Sequence, residues 1–185
     1  MKRPRIILIH GNGGGTGQDN WFPYVKKQLE AKGFIVISET MPDNVLARKS
    51  QWLPFMKGTL AADEDAVLVG HSSGAVAVMR FAEDNKLYGS ILVGASYTDL
   101  GDEDERASGY FDHPWQWEKI KANQNWIIQF ASTDDPYIPV EEARHIHERL
   151  GTEYYEAADE GHYGEDRQKK SFPEVVDLID RKVNR

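Results

Sequence analysis

The stretch that decides the fold is Ala66-Val67-Leu68-Val69-Gly70-His71-Ser72-Ser73-Gly74-Ala75. Four consecutive apolar residues after the polar Asp63-Glu64-Asp65 read as a buried strand, and Gly74–Asp84 reads as a helix that follows with almost no loop. A G-x-S-x-G match at such a junction has a physical meaning. The central serine occupies a strained turn that lifts its hydroxyl clear of the sheet, and the flanking glycines let strand and helix approach without side-chain clash. Ser72 is therefore the candidate nucleophile. The backbone N–H of Ser73, at the helix start, is a candidate donor to a developing oxyanion.

Outward from this junction, short apolar runs alternate with longer segments of helical periodicity. Strands are predicted over Ile6–Ile9, Phe34–Ile37, Ala66–Val69, Ser90–Val93, Trp126–Phe130 and Tyr154–Glu156. Helices are predicted over Pro23–Lys32, Val45–Ala61 (broken or bent at Pro54), Gly74–Asp84, Trp115–Lys121, Val140–Leu150 and Pro173–Arg181. Repeated strand–helix–strand units imply an α/β class with a mostly parallel sheet and helices on both faces. Function in this class sits at the carboxyl ends of the strands. No repeat or linker divides residues 1–185, which read as a single domain. One long connection, Ala95 to Pro114, carries the acidic run Asp102-Glu103-Asp104-Glu105 and reads as a solvated surface loop; it lacks the spacing and glycine of a calcium loop.

Composition narrows the partners. In 185 residues, 30 acidic against 22 basic side chains give a net charge of −8, which disfavours nucleic acid and acidic membrane surfaces. The absence of cysteine removes disulfides, thiolate nucleophiles and cysteine metal sites. The start Met1-Lys2-Arg3-Pro4-Arg5 is basic, but the apolar run after it is far shorter than the roughly 7 to 15 residues of a signal peptide. No stretch approaches the roughly 18 apolar residues of a membrane span, and Lys182-Val183-Asn184-Arg185 carries no lipidation motif. A soluble, cytoplasmic protein is expected.

A serine hydroxyl needs a base to take its proton, and the base needs an acid to orient it. After the fifth predicted strand comes Ser132-Thr133-Asp134-Asp135-Pro136-Tyr137-Ile138-Pro139, and after the sixth comes Asp159-Glu160-Gly161-His162-Tyr163. The chain order Ser72, aspartate, His162 is that of the α/β-hydrolase arrangement. Asp135 is favoured as the acid because an acid followed by two residues and then Ile-Pro resembles the usual acid loop of that superfamily, with Asp134 as the alternative. His145 and His147 sit two apart on a helix, face different directions and read as surface residues. His113 lies in a loop, His71 packs against or shapes the site, and His10 lacks an acidic loop to orient it.

Gly11-Asn12-Gly13-Gly14-Gly15-Thr16-Gly17 follows the first strand. A nucleotide cofactor is not expected there, because G-x-G-x-x-G fails at Thr16 and Gln18 and no phosphate-loop lysine motif is present. The loop instead suits the second oxyanion donor, with Asn12 favoured and Gly13 as runner-up. No cofactor and no metal are expected.

By these residues the chain resembles a known family. Gly11–Gly15, Trp52–Met56 (W-L-P-F-M), Gly70–Ala75, Glu105–Phe111 (E-R-A-S-G-Y-F), Pro114–Asn123 (P-W-Q-W-E-K-I-K-A-N) and Ser132–Pro136 are similar to segments of the retinoblastoma-binding protein 9-like family and its bacterial relatives, small serine hydrolases of the α/β-hydrolase superfamily. The resemblance implies a minimal six-stranded parallel sheet of order 2-1-3-4-5-6 without a lid domain, and a triad of Ser72, Asp135 and His162. The retinoblastoma partner in the family's name depends on an L-x-C-x-E segment. The matching Leu60-Ala61-Ala62-Asp63-Glu64 has Ala62 at the cysteine position, so that partner is not expected.

The reading that follows is a serine hydrolase acting on small esters or amides, with aminoacyl esters and short peptides also open as substrates. His71, Tyr110, Phe111, Trp115 and Trp117 are candidates for a substrate pocket, the four larger aromatics equally suiting an anchor for the long connection. Acidic residues such as Asp134, Asp159 and Glu160 are expected to make the rim negative. The alternative reading is a weak or inactive hydrolase-fold protein serving as an interaction module.

Overall fold

Strands that are apolar at every position need cover on both faces. In the computed structural model, which describes residues 3–184, they have it. Six strands, β1 (Arg5–Ile9), β2 (Val36–Ile37), β3 (Ala66–His71), β4 (Gly89–Val93), β5 (Ile127–Ser132) and β6 (Glu153–Ala157), form one parallel sheet. Its order is β2-β1-β3-β4-β5-β6, the order that the resemblance implies. Met1 and Lys2 of the basic N-terminal run and Arg185 at the other end lie outside the described residues.

The helices are α1 (Phe22–Ala31), α2 (Lys49–Gly58), α3 (Ser73–Ala82), α4 (Glu103–Ser108), α5 (Trp117–Ala122), α6 (Val140–Leu150) and α7 (Pro173–Val183). Side chains alternate across a strand, so each strand feeds two cores. Ile6, Leu8, Val67, Val69, Ile91, Val93, Ile128 and Phe130 pack with α1 and α7. Ile7, Ile9, Leu68, Leu92 and Ile127 pack with α2, α3, α5 and α6 on the other face. Helix α3 is buried along its whole length. Among the described residues no helix is long and apolar enough to cross a membrane.

Three expectations change. Helix α2 starts at Lys49 rather than Val45, because the carbonyls of Asn44 and Val45 are taken by the amides of Gly14 and Gly13, both at 3.0 Å, instead of turning into a helix. The helix also runs unbroken through Pro54, where Ser50, whose carbonyl loses its usual partner, is exposed. The connection expected to be a solvated loop contains α4. Asp102 caps it by accepting from the amides of Asp104 (2.9 Å) and Glu105 (3.0 Å), and the acidic first turn suits the positive end of the helix dipole. Gly109 closes it in the left-handed conformation.

Candidate active site

Ser72 stands between β3 and α3 at φ 56°, ψ −126°, a backbone conformation that costs a non-glycine residue about 1 to 3 kcal/mol. Its amide donates to the Val93 carbonyl at 2.9 Å, and its carbonyl accepts from Ala75 at 2.8 Å, which holds the turn from both sides. The two flanking glycines are required by contact. A Cβ on Gly70 would lie 2.4 Å from the Gly74 carbonyl oxygen, and one on Gly74 would lie 2.3 Å from that of Ile9. Ser72 lines a cleft of about 790 Å³ at the carboxyl ends of the strands, together with His162, Asn12, Ser73 and His71.

The two other sequence-predicted residues meet there. Asp135 Oδ2 lies 2.7 Å from His162 Nδ1, with side-chain exposures of only 4% and 11%. Asp135 Oδ1 accepts from the amides of Tyr137 (2.9 Å) and Ile138 (3.0 Å), so the carboxylate is fixed by its own turn. A carboxylate can only accept, so Nδ1 carries a proton, and in the neutral ring Nε2 is then the acceptor. Ser72 and His162 share the cleft, and no hydrogen bond links them directly among the described residues; such bonds are often long before substrate binds.

Asp134, the alternative acid, faces away from the imidazole. It accepts from Ser132 Oγ and from the amide of Gly161 at 2.9 Å, and it pairs with Arg167; the Ser132 bond is the main reason its carboxyl is held below the usual range. Further ties fix the His162 backbone. Its amide donates to Asp166 Oδ2 at 2.8 Å and its carbonyl accepts from His71 Nε2 at 2.7 Å. Trp21 Nε1 donates to the Tyr163 carbonyl at 2.9 Å, and the Tyr163 hydroxyl to that of Ala131 at 2.9 Å.

The neighbouring histidines are both held below the usual histidine range. His71 is pushed down to about 3, first by burial and then by the nearby His162, whose ring centroid is 4.9 Å away. His10 is lowered chiefly by burial, donating from Nδ1 to its neighbour Gly11's carbonyl (2.7 Å) and accepting at Nε2 from Met41 (2.8 Å). His145 and His147 are half-buried rather than surface residues, stacked on Tyr97 and Tyr154 respectively.

The amides of Asn12 and Gly13 in the glycine loop differ in their partners. The Gly13 amide is occupied by Val45, whereas neither the Asn12 amide nor that of Ser73 meets a protein acceptor among the described residues. Gly11 brings the loop close, since a Cβ there would sit 3.1 Å from Ser72 Cβ.

The four large aromatics lie elsewhere: Tyr110, Phe111, Trp115 and Trp117 are not among the residues lining the cleft. They secure the long connection to α3 through Arg80, itself only 2% exposed. The Arg80 guanidinium lies 3.6 Å from the Trp115 ring centroid and donates to the carbonyls of Tyr110 (2.7 Å) and His113 (2.7 Å) and to Glu83 (2.7 Å). The negative rim is also built differently. Asp19, Asp102, Asp104, Glu105, Glu165 and Asp166 line the cleft with no lysine or arginine, while Asp134 and Glu160 are paired with Arg167 and Lys169. Sequence reasoning missed Arg80, Glu105 and Asp166. Glu105 alone had a signal, standing first in the E-R-A-S-G-Y-F segment.

A parallel sheet of this order with a serine on a strained strand-to-helix turn defines the α/β-hydrolase class. The family model for serine hydrolases matches residues 6–181, and the chain belongs to that family. It is 48% identical over 177 residues to the serine hydrolase RBBP9 of Rattus norvegicus, covering 95% of this chain and 93% of the relative. The crystal structure of the ydeN gene product of Bacillus subtilis superposes with a TM-score of 0.89 at 26% identity, covering 98% of this chain and all (100%) of the other. Est1E of Butyrivibrio proteoclasticus, at 13% identity and a TM-score of 0.76 over 100% of this chain and 91% of its own, shares the fold.

Proposed function

We propose that the chain is a single-domain hydrolase that cleaves small carboxylic esters or amides through an acyl-enzyme. Ser72 Oγ attacks the acyl carbon while His162 Nε2 takes its proton and later returns it to the leaving group. Asp135 keeps the imidazole in the tautomer that leaves Nε2 free, and the amides of Ser73 and Asn12 receive the oxyanion. Water then releases the acyl group. The observation that carries this reading is the Asp135–His162 pair, bonded at 2.7 Å, opening onto the same cleft as a serine held at φ 56°.

The cleft supports a substrate that is neutral or cationic, since an anion would face six carboxylates and no cation. Val45 and Tyr137, 62% and 65% exposed at its mouth, offer an apolar rim for the part of the substrate outside the reacting carbonyl. Leu60 and Ala62 are buried, which supports leaving out a retinoblastoma-type partner.

The test is a fluorophosphonate probe on the folded protein, with turnover of a short-chain aryl ester measured alongside. Ser72 is expected to be the labelled residue, and Ser72→Ala to lose about 10⁴- to 10⁶-fold in kcat. Folded protein that takes no label would favour the interaction-module reading.

A further inference from the structure

We propose that Glu105 is a positioning residue for the oxyanion hole, acting on the glycine loop through the side chain of Asn12. The inference rests on the hydrolase reading above, with the Asn12 amide as oxyanion donor. Asn12 Nδ2 donates to Glu105 Oε1 at 2.7 Å, a bond across 93 residues of sequence. Glu105 is half-buried at the cleft, and its desolvation, which raises its carboxyl above the usual range, is opposed first by the Asn12 hydrogen bond. The Ser73 hydroxyl is buried without a hydrogen-bond partner, yet near enough to favour the charged form of Glu105. One carboxylate thus stands beside both residues whose amides face the oxyanion.

The loop needs such a tie. A run with five glycines between Gly11 and Gly17 is conformationally permissive, and an oxyanion donor contributes only if its N–H is already aimed when charge develops. The far side of the loop is pinned by Gly13 to Val45, Gly14 to Asn44 and Asn44 Nδ2 to the Gly15 carbonyl at 2.8 Å. The Asn12 carbonyl accepts from Gly15 of the same loop at 3.3 Å, and among the described residues Glu105 is the partner that ties its side chain to an element outside the loop. Glu105 is itself fixed, because Ser108 Oγ donates to its carbonyl at 2.6 Å and the segment beyond is clamped to α3 by Arg80.

The experiment is steady-state hydrolysis of a short-chain p-nitrophenyl ester by the full chain and five variants. Glu105→Ala is expected to lower kcat about 10- to 100-fold with KM within about threefold, the signature of a lost transition-state interaction. Glu105→Gln, whose Oε1 can still accept from Asn12, should recover most of that loss. Asn12→Ala removes the same bond from the other end and should match Glu105→Ala, with the double variant no slower than either. It also keeps the test alive if Glu105→Ala fails to fold. Exposed Glu103→Ala should be unchanged. Unaltered kcat in Glu105→Ala, a loss carried by KM, no rescue by glutamine, or additive losses would each overturn the proposal. Wild-type protein that resists fluorophosphonate would instead remove the hydrolase reading beneath it.

Discussion

The loop that carries His162 and the glycine loop across the cleft are immobilised with different materials. On the His162 side the ties are side chains that converge on the loop, Asp166 from within it, Asp134 and Asp135 from the turn after β5 and His71 from the end of β3. Asp134 and Asp166 take the amides of Gly161 and His162, His71 binds the His162 carbonyl, and Asp135 binds the ring. The glycine loop carries few side chains, because Gly11 lies against Ser72, Gly15 and Gly17 lie against neighbouring backbone and Gly13 and Gly14 take positive φ, so it has few handles of its own. Its ties are imported from the turn before α2 and from α4, elements that sequence patterning assigned to a longer helix and to a solvated loop. Close approach and self-fixation compete for the same side chains, and the second region resolves the conflict by borrowing.

The largest effect that separates these regions should come from the adjacent aspartates. In Asp135→Asn the amide can donate to Nδ1, which moves the imidazole proton to Nε2 and leaves no acceptor for the Ser72 proton. We expect a kcat loss of about 10³- to 10⁴-fold with the fold intact. Asp134→Asn removes a tie from a loop that keeps several others, and should cost less than about tenfold. Equal losses from the two variants in the same ester assay would contradict the division of roles.

On the borrowed side, the corresponding break is at Arg80. It forms an ion pair with Glu83 in which the side chains are 1% and 5% exposed, and it holds three carbonyls of the long connection. Arg80→Ala leaves Glu83 as a buried, uncompensated charge and three acceptors unsatisfied, an expected loss of about 3 to 5 kcal/mol by urea denaturation. Removing the exposed Arg106–Asp99 pair nearby should cost less than about 1 kcal/mol. A small effect at Arg80 would mean that the connection is held by its aromatics alone.

The difference between the regions also explains what the sequence could reveal. The α/β class and the elbow were legible because their signals are local in sequence: the G-x-S-x-G pattern spans Gly70 to Gly74, although the contact that requires Gly74 is with Ile9 of the neighbouring strand. Asp135 and His162 were legible because each follows its strand directly, so topology alone brings them to one edge. Glu105 was not, since its partner is 93 residues away and a run of four acids looks like a solvated face whichever one turns inward. The pairing of Arg80 with backbone carbonyls leaves no residue pattern at all. The aromatics of Tyr110–Trp117 suited a pocket and an anchor equally, and choosing between the two required knowing where that cation lies.

The smallest effect concerns His71, whose backbone enters the elbow while its imidazole ties the His162 loop. Its folded value of about 3 lies below the ordinary 6.5, so it stays neutral in the native state. As pH falls from 6.5 towards 3, the unfolded chain takes a proton that the native state refuses, and stability is lost by up to about tenfold in the folding equilibrium per pH unit. Near neutral pH that stability is fully present. By about pH 4.5 the loss should reach about 100-fold, or about 3 kcal/mol. His71→Gln cannot titrate but retains an Nε2–H that can donate to the His162 carbonyl. Packing changes will shift its stability at every pH, and the lowered His10 and all carboxylates are common to both proteins. The useful quantity is therefore the difference between wild type and variant, measured by urea denaturation at pH 7 and about pH 4.5. That difference should move by about 3 kcal/mol in favour of the variant at the lower pH. A difference that stays constant would mean that His71 takes up its proton as readily in the folded protein as in the unfolded chain, and at about pH 4.5 its hydrogen bond to His162 would then be that of a cation.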